Sequence, residues 1–206
     1  MIKNIIFDLG NVVLGFNCFQ AIKDNCKEGD FDKFADLIFK SDTWKEYDNG
    51  EYTKDTVTEE FLSKVSSTED KGVIKKVMDN WTNNTYLPTY EVMTDFIKTV
   101  KDAGYKTFIL SNTPFEVPEL LKKRDLLKLF DGVIYSCDLH ISKPDLGIYK
   151  ELLNKYNLVA EECIFLDDRQ DNIEAANSIG IHGIVYEHDN HEKIVSQMKE
   201  EYDLKF

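Results

Sequence analysis

Chemically useful side chains recur in this chain where apolar runs stop: Asp8 after IIF, Ser111 after TFIL, Lys143 within SKPD, and Asp167-Asp168 after CIFL. A carboxylate set opposite two more suggests a divalent cation held by hard oxygen ligands, Mg²⁺ above all. A serine hydroxyl offers a hydrogen bond and a lysine ammonium a point charge, which together suit a phosphoryl group. Each residue alone has an ordinary explanation. An Asp after a strand is a common turn former or helix N-cap, an acid pair is usually a solvated turn, and Lys-Pro is frequent. Together, and in this order, they describe an anion site beside a metal.

Such a site needs strands whose ends converge. Ile2 to Phe7 is a short run of β-branched and aromatic residues without alternation, the pattern of a strand covered on both faces, and in open α/β sheets functional groups sit at the carboxyl ends of such strands. After Pro88 helix and strand alternate, the signature of a parallel sheet with crossover helices. Strands are expected at Tyr105 to Leu110, Gly132 to Tyr135, Cys163 to Leu166 and Gly183 to Tyr186. Helices are expected at Glu91 to Ala103, Pro114 to Leu129, Leu146 to Tyr156, Asn172 to Ile179 and His191 to Tyr202, with Ser136 to Pro144 as a loop. Residues 16–87 lack strand-like runs and carry apolar residues at helical spacing, as in Phe31, Phe34, Leu37 and Ile38, with Asp48-Asn49-Gly50 as a turn between helical parts. The expected architecture is a doubly wound, Rossmann-like α/β core of residues 1–15 and 88–206, with an inserted all-helical cap of residues 16–87.

Composition narrows the function classes. The 206 residues are 42% apolar and 12% aromatic, enough for a sizeable core with an insertion. The net charge of −13 opposes polyanions, so a nucleic-acid or anionic-membrane surface is not expected, whereas a small anion can bind where a metal and a lysine reverse the field. The first apolar run is too short to span a bilayer and lacks a signal-peptide flank, so a cytoplasmic protein is expected. Cys18, Cys26, Cys137 and Cys163 form no CxxC pair, so four reduced thiols and no zinc site are expected. A monomer or weak homodimer acting on a small phosphorylated molecule fits these constraints.

The stretches FDLGNVV at Phe7 to Val13, LSNT at Leu110 to Thr113, SKPDLGIY at Ser142 to Tyr149 and IFLDDRQDNIEAA at Ile164 to Ala176 closely resemble the haloacid dehalogenase superfamily of hydrolases. The likeness is to members with a helical cap after the first motif, and most to bacterial sugar-phosphate phosphatases whose first motif also reads DLGNV. The resemblance implies that Asp8 is a nucleophile passing through an aspartyl-phosphate, and that Ser111 and Asn112 bind phosphoryl oxygens. It also implies that Lys143 pairs Asp8 with the phosphoryl group. Mg²⁺ would be held by Asp8, the Gly10 carbonyl, Asp168 directly, and Asp167 as second or water-mediated partner. Asp171 is expected to cap the following helix or to order water.

One position departs from the family pattern. Most phosphatases of this superfamily carry an Asp two residues after the nucleophile as general acid, and here that residue is Gly10. Another group or water then transfers the proton, or the leaving group departs easily, or the chain is a weak or silent binding protein. Hydrolytic dehalogenation would leave Asp167-Asp168 as unneutralised charges beside Asp8. Trp44 and Tyr47, with Trp81, are candidates to line the organic part of a substrate or to pack within the cap. His140 is expected in an unusual turn conformation, and His182, His188 and His191 on the surface away from the site.

Overall fold

The computed structural model describes residues 1–206 as a five-stranded parallel sheet with helices on both faces. The chain begins with β1 (Asn4–Phe7), in which every residue is buried. Six helices separate it from the next strand, and the first five fill the inserted segment: α1 (Cys18–Lys23), α2 (Phe31–Leu37), α3 (Asp42–Asp48), α4 (Lys54–Ser63) and α5 (Thr68–Asn80). The rest alternates as expected, through α6 (Glu91–Asp102), β2 (Lys106–Ser111), α7 (Glu116–Lys123) and β3 (Gly132–Tyr135). After the short α8 (Ser136–Leu139) come α9 (Leu146–Tyr156), β4 (Cys163–Asp167), α10 (Gln170–Ser178), β5 (His182–Val185) and α11 (His191–Tyr202).

The strand order is β3-β2-β1-β4-β5, with the first strand central, so right-handed crossovers place helices on either side. Alternation of side chains along the strands divides the interior in two. Ile5, Phe7, Ile109, Ile164 and Leu166 pack on one face with Phe96, Ile97 and Met198. Ile6, Phe108, Leu110 and Phe165 pack on the other against Ile148, Tyr149 and Leu152 of α9 and Ile173 of α10.

The helical segment leaves and re-enters the core through two strips of chain lying side by side. Gly15 N–H donates to the Pro88 carbonyl and Asn17 N–H to that of Tyr86, each at 2.8 Å, while Tyr90 N–H donates to the Val13 carbonyl at 3.0 Å. A side chain at Gly15 would meet Pro88 at 2.9 Å, so the close approach requires glycine. Side-chain caps start three of the helices: Ser41 accepts from Trp44 N–H, Ser67 from Glu69 and Asp70 N–H, and Thr53 and Thr56 form a reciprocal box. Each cap contributes about 1 kcal/mol to helices too short to stand alone.

Several boundaries differ from expectation for local reasons. The helix expected over Pro114 to Leu129 is broken by Asp125 in a left-handed conformation (φ +57°), leaving α7 and a single 3₁₀ turn, Leu127–Leu129. The loop expected from Ser136 contains α8, ended by His140 at φ +54°, the unusual turn conformation anticipated there. Ser111 and Asp167 remain inside their strands because their neighbours continue the ladder, opposite Tyr135 and Val185. No helix is long and apolar enough to cross a membrane.

Candidate active site

Parallel register sets Phe7 opposite both Ile109 and Leu166, so the residues at the carboxyl ends of β1, β2 and β4 emerge together. Asp8 leaves β1 with its N–H bonded to the Leu166 carbonyl at 2.9 Å. The turn that follows closes on Leu9, whose carbonyl accepts from the Val13 and Leu14 amides at 3.0 and 2.8 Å. Asn11 stands in the left-handed region (φ +55°), and from there its Nδ2 donates to Asp168 Oδ2 at 2.8 Å.

Lys143 is the hub. Its Nζ donates to Asp8 Oδ1 at 2.8 Å, to Asp167 Oδ2 at 2.6 Å and to the Leu110 carbonyl at 2.9 Å, which uses all three ammonium donors. Asn112 fixes the backbone of Lys143 from both sides, donating to its carbonyl at 2.8 Å and accepting from its N–H at 2.7 Å. Ser111 is 1% exposed and faces an adjoining apolar pocket together with Asn112 and Thr113.

The two adjacent acids are not equivalent. Asp167 is fully buried and accepts from Lys143, from Arg169 N–H at 2.9 Å and from Asn172 Nδ2 at 3.0 Å on each oxygen. Asp168 is half-buried and takes one side-chain hydrogen bond, from Asn11, leaving an oxygen free. One carboxylate oxygen from each of Asp8, Asp167 and Asp168 lies within 4.8 Å of the others. Three carboxylates against one ammonium leave two negative charges unmatched, which is the charge of one divalent cation, and the donors are hard oxygens. The residues present therefore fit Mg²⁺.

Burial pushes Asp8 up to about 6, with Lys143 pulling it down and Asp167 and Asp168 adding to the rise. Burial also raises Asp168, with the Asn11 hydrogen bond opposing it. Burial lowers Lys143, but Asp8 and Asp167 outweigh it and the ammonium is held more tightly than usual.

Over this floor lies the helical segment. A polar chamber of about 360 Å³ is lined by Asp8, Lys143, Asp168, Asn172 and Arg169, and an apolar pocket of about 80 Å³ beside it by Leu14, Trp44, Trp81, Leu87 and Val117. Trp44 thus lines the cleft. Tyr47 does not: it is buried, and its hydroxyl donates to Glu116. Asp171 does not cap α10 but pairs with Arg169 at 2.6 Å, and Arg169 occupies the cap position. His188 is not remote either, since it stacks on Tyr90 at 3.8 Å between centroids and shares a surface groove with Asp168. Asn11 and Asn172, which orient the acid pair, carried no sequence signal beyond their places in the first and last motifs. Asp48, the last residue of α3, also reaches the cleft, and its sequence context reads only as punctuation.

Comparison with known proteins places the chain among characterised relatives of similar fold. Among curated proteins the chain is 26% identical over 187 residues to a sesquiterpene phosphatase of Aspergillus oryzae, covering 88% of each chain. It is 24% identical to a D-ribitol-5-phosphate phosphatase of Bacteroides thetaiotaomicron, covering 87% of this chain and 89% of that one. Some relatives are longer, and of one the chain spans only 18%. In fold it resembles a haloacid dehalogenase family enzyme of Bacteroides thetaiotaomicron solved with magnesium and inorganic phosphate, at TM-score 0.71 and 20% identity, covering 93% of this chain and 99% of that one. The model of the haloacid dehalogenase-like hydrolases matches residues 2–180, and the chain belongs to that family.

Proposed function

We propose that the protein is a Mg²⁺-dependent phosphatase that hydrolyses a small phosphomonoester through an aspartyl-phosphate on Asp8. The observation that carries this reading is the single cluster of Asp8, Asp167 and Asp168 tied together by the Lys143 ammonium at the convergent strand ends. Relatives named as phosphatases of a sesquiterpene and of a sugar-alcohol phosphate support it. The acid pair also counts against dehalogenation, which has no use for a cation beside the nucleophile.

Mg²⁺ would be held by Asp8, the Gly10 carbonyl and Asp168, with Asp167 behind; when bound it supplies electrostatic stabilisation of charge on the phosphoryl oxygens. The Asp8 oxygen not held by Lys143 attacks phosphorus, and the bond to the ester oxygen breaks. Water then attacks the same phosphorus, releasing inorganic phosphate and restoring the Asp8 carboxylate. Lys143 keeps Asp8 in place and offsets charge as the phosphoryl group transfers. Ser111 offers a hydroxyl donor and Asn112 its main-chain N–H to the phosphoryl oxygens. Residues 16–87 act as the cap that covers the reacting atoms and excludes bulk water. The pocket under Trp44 and Trp81 offers an apolar wall to a compact organic group, with Asp48, Ser111, Asn112 and Thr113 as polar partners beside it.

The test is release of inorganic phosphate from a panel of sugar, alkyl and prenyl monophosphates, with Mg²⁺ or EDTA, for wild type and Asp8→Asn. Turnover is expected only with Mg²⁺ and only in wild type. Turnover that survives EDTA or Asp8→Asn removes the mechanism.

A further inference from the structure

The chemistry just described leaves one proton unassigned. As the ester bond breaks, its electron pair passes to the bridging oxygen, and an alkoxide is a poor product without a proton donor. Position 10 has the space for a donor but no side chain: a Cβ there would meet only Asp8 Oδ2, at 3.9 Å.

We propose that Asp48, delivered from the helical segment, is the group that protonates the leaving oxygen. The inference rests on the phosphatase reading and adds the residue that completes it. Its basis is position. The polar chamber takes the phosphoryl group and the apolar pocket the organic group, so the oxygen bridging them must lie at the wall the two share. Gly10, Phe16, Asp48 and Asn112 line both, and Asp48 alone among them is an acid.

The turn carrying Asp48 is fastened to the loop that carries Lys143. Ser136 Oγ donates to the Asp48 carbonyl, Ser142 Oγ donates to Asn49 Oδ1 at 2.9 Å, and the His140 ring lies 3.0 Å from the Asn49 carbonyl. Gly50 follows at φ +80°, so close to Cys137 that a Cβ would fall 2.4 Å from its carbonyl oxygen. These contacts bring a residue of the cap into fixed register with the nucleophile's own lysine.

The Asp48 carboxyl forms no ion pair; Lys45, one turn earlier, is paired instead with Asp42 at 2.8 Å. Burial, and then the charge of Asp8, hold its carboxyl well above the usual carboxylate range, with the Trp44 side chain opposing them. It can thus carry a proton where an exposed Asp would not. The step balances: Asp8 forms its bond to phosphorus, the ester P–O bond breaks, and the Asp48 proton passes to the bridging oxygen to give the alcohol. In the second half the Asp48 carboxylate takes a proton from the attacking water, and the Asp8–phosphorus bond breaks to give phosphate.

The experiment compares propyl phosphate, whose alcohol needs a proton to leave, with 4-nitrophenyl phosphate, whose phenolate does not. Asp48→Asn is expected to lower kcat/KM for the propyl ester by about 10²–10⁴ and for the nitrophenyl ester by no more than about tenfold. Adding Gly10→Asp to Asp48→Asn should recover the propyl ester selectively. Equal losses on both esters would reduce Asp48 to a structural role and overturn the inference while leaving the phosphatase reading in place, as would an undiminished propyl rate. A wild type that cleaves neither ester, nor any member of the panel, overturns both.

Discussion

The floor and the roof of the cleft handle charge in opposite ways. On the floor, Asp8 and Asp167 meet the Lys143 ammonium, and Asp167 accepts further bonds from Asn172 and Arg169. On the roof, Asp48 stands beside Trp44 and Trp81 without a counter-charge. The floor sets its carboxylates against an ammonium and is arranged to receive a cation and an anion, although burial raises Asp8 and Asp168 too. The roof leaves Asp48 without a counter-charge, and burial holds its carboxyl well above the usual range. A phosphoryl transfer uses both conditions within one cleft.

Removing a charge should therefore have opposite consequences on the two sides. Lys143→Met deletes the floor's only ammonium and strands two buried carboxylates. Ion pairs of this kind contribute little net stability, but breaking one leaves an uncompensated charge, and a loss of about 3–5 kcal/mol is expected in metal-free buffer. Urea unfolding with EDTA and with Mg²⁺ measures it, and Mg²⁺ should recover part of the loss while turnover stays undetectable. Unchanged stability in EDTA would mean that the floor is not held by this charge balance, and the contrast with the roof would collapse.

Gly50→Ala acts on the join between the two regions rather than on either charge set. The backbone there is left-handed, and the new methyl would meet the Cys137 carbonyl, so the turn must shift away from the Lys143 loop. A stability loss of about 1–3 kcal/mol is expected. The kinetic signature sharpens the comparison: the propyl ester should suffer more than the nitrophenyl ester, as in Asp48→Asn, because the floor is intact and only the roof has moved. Parallel losses on both esters would show that the turn supports the floor instead.

The floor was legible in the sequence because each of its residues ends a strand with an apolar signature, and parallel strands in register bring their ends together. The strand Gly132–Tyr135 and the helices Leu146–Tyr156 and His191–Tyr202 match the periodicity at both ends. Beta ladders blurred the edges: Ser111 and Asp167 look like loop residues by type but are held in strands by their neighbours. The roof was not legible. Asp48-Asn49-Gly50 has the composition of any tight turn, and nothing local states that Ser136 and Ser142, some 90 residues on, will bind it (|i−j| of 88 and 93). Asp125 was hidden likewise, since a left-handed residue that is not glycine leaves little trace in composition.

The smallest effect is the most direct measure of the roof. Asp48→Asn keeps the shape of the side chain and removes its ionisation, and a gain of about 1 kcal/mol is expected at neutral pH. The sign follows from proton binding. Folded Asp48, with its affinity for protons raised above the ordinary value of 3.8, holds its proton to a higher pH than the unfolded chain does. Wild type therefore loses stability as pH rises above 3.8, and the variant, which has no proton to retain, does not lose this part. The difference between the two should be absent below that pH and grow towards neutrality, measured by urea unfolding across the range in EDTA. A variant that is less stable at every pH would place a stabilising interaction at Asp48, and the roof would then resemble the floor after all.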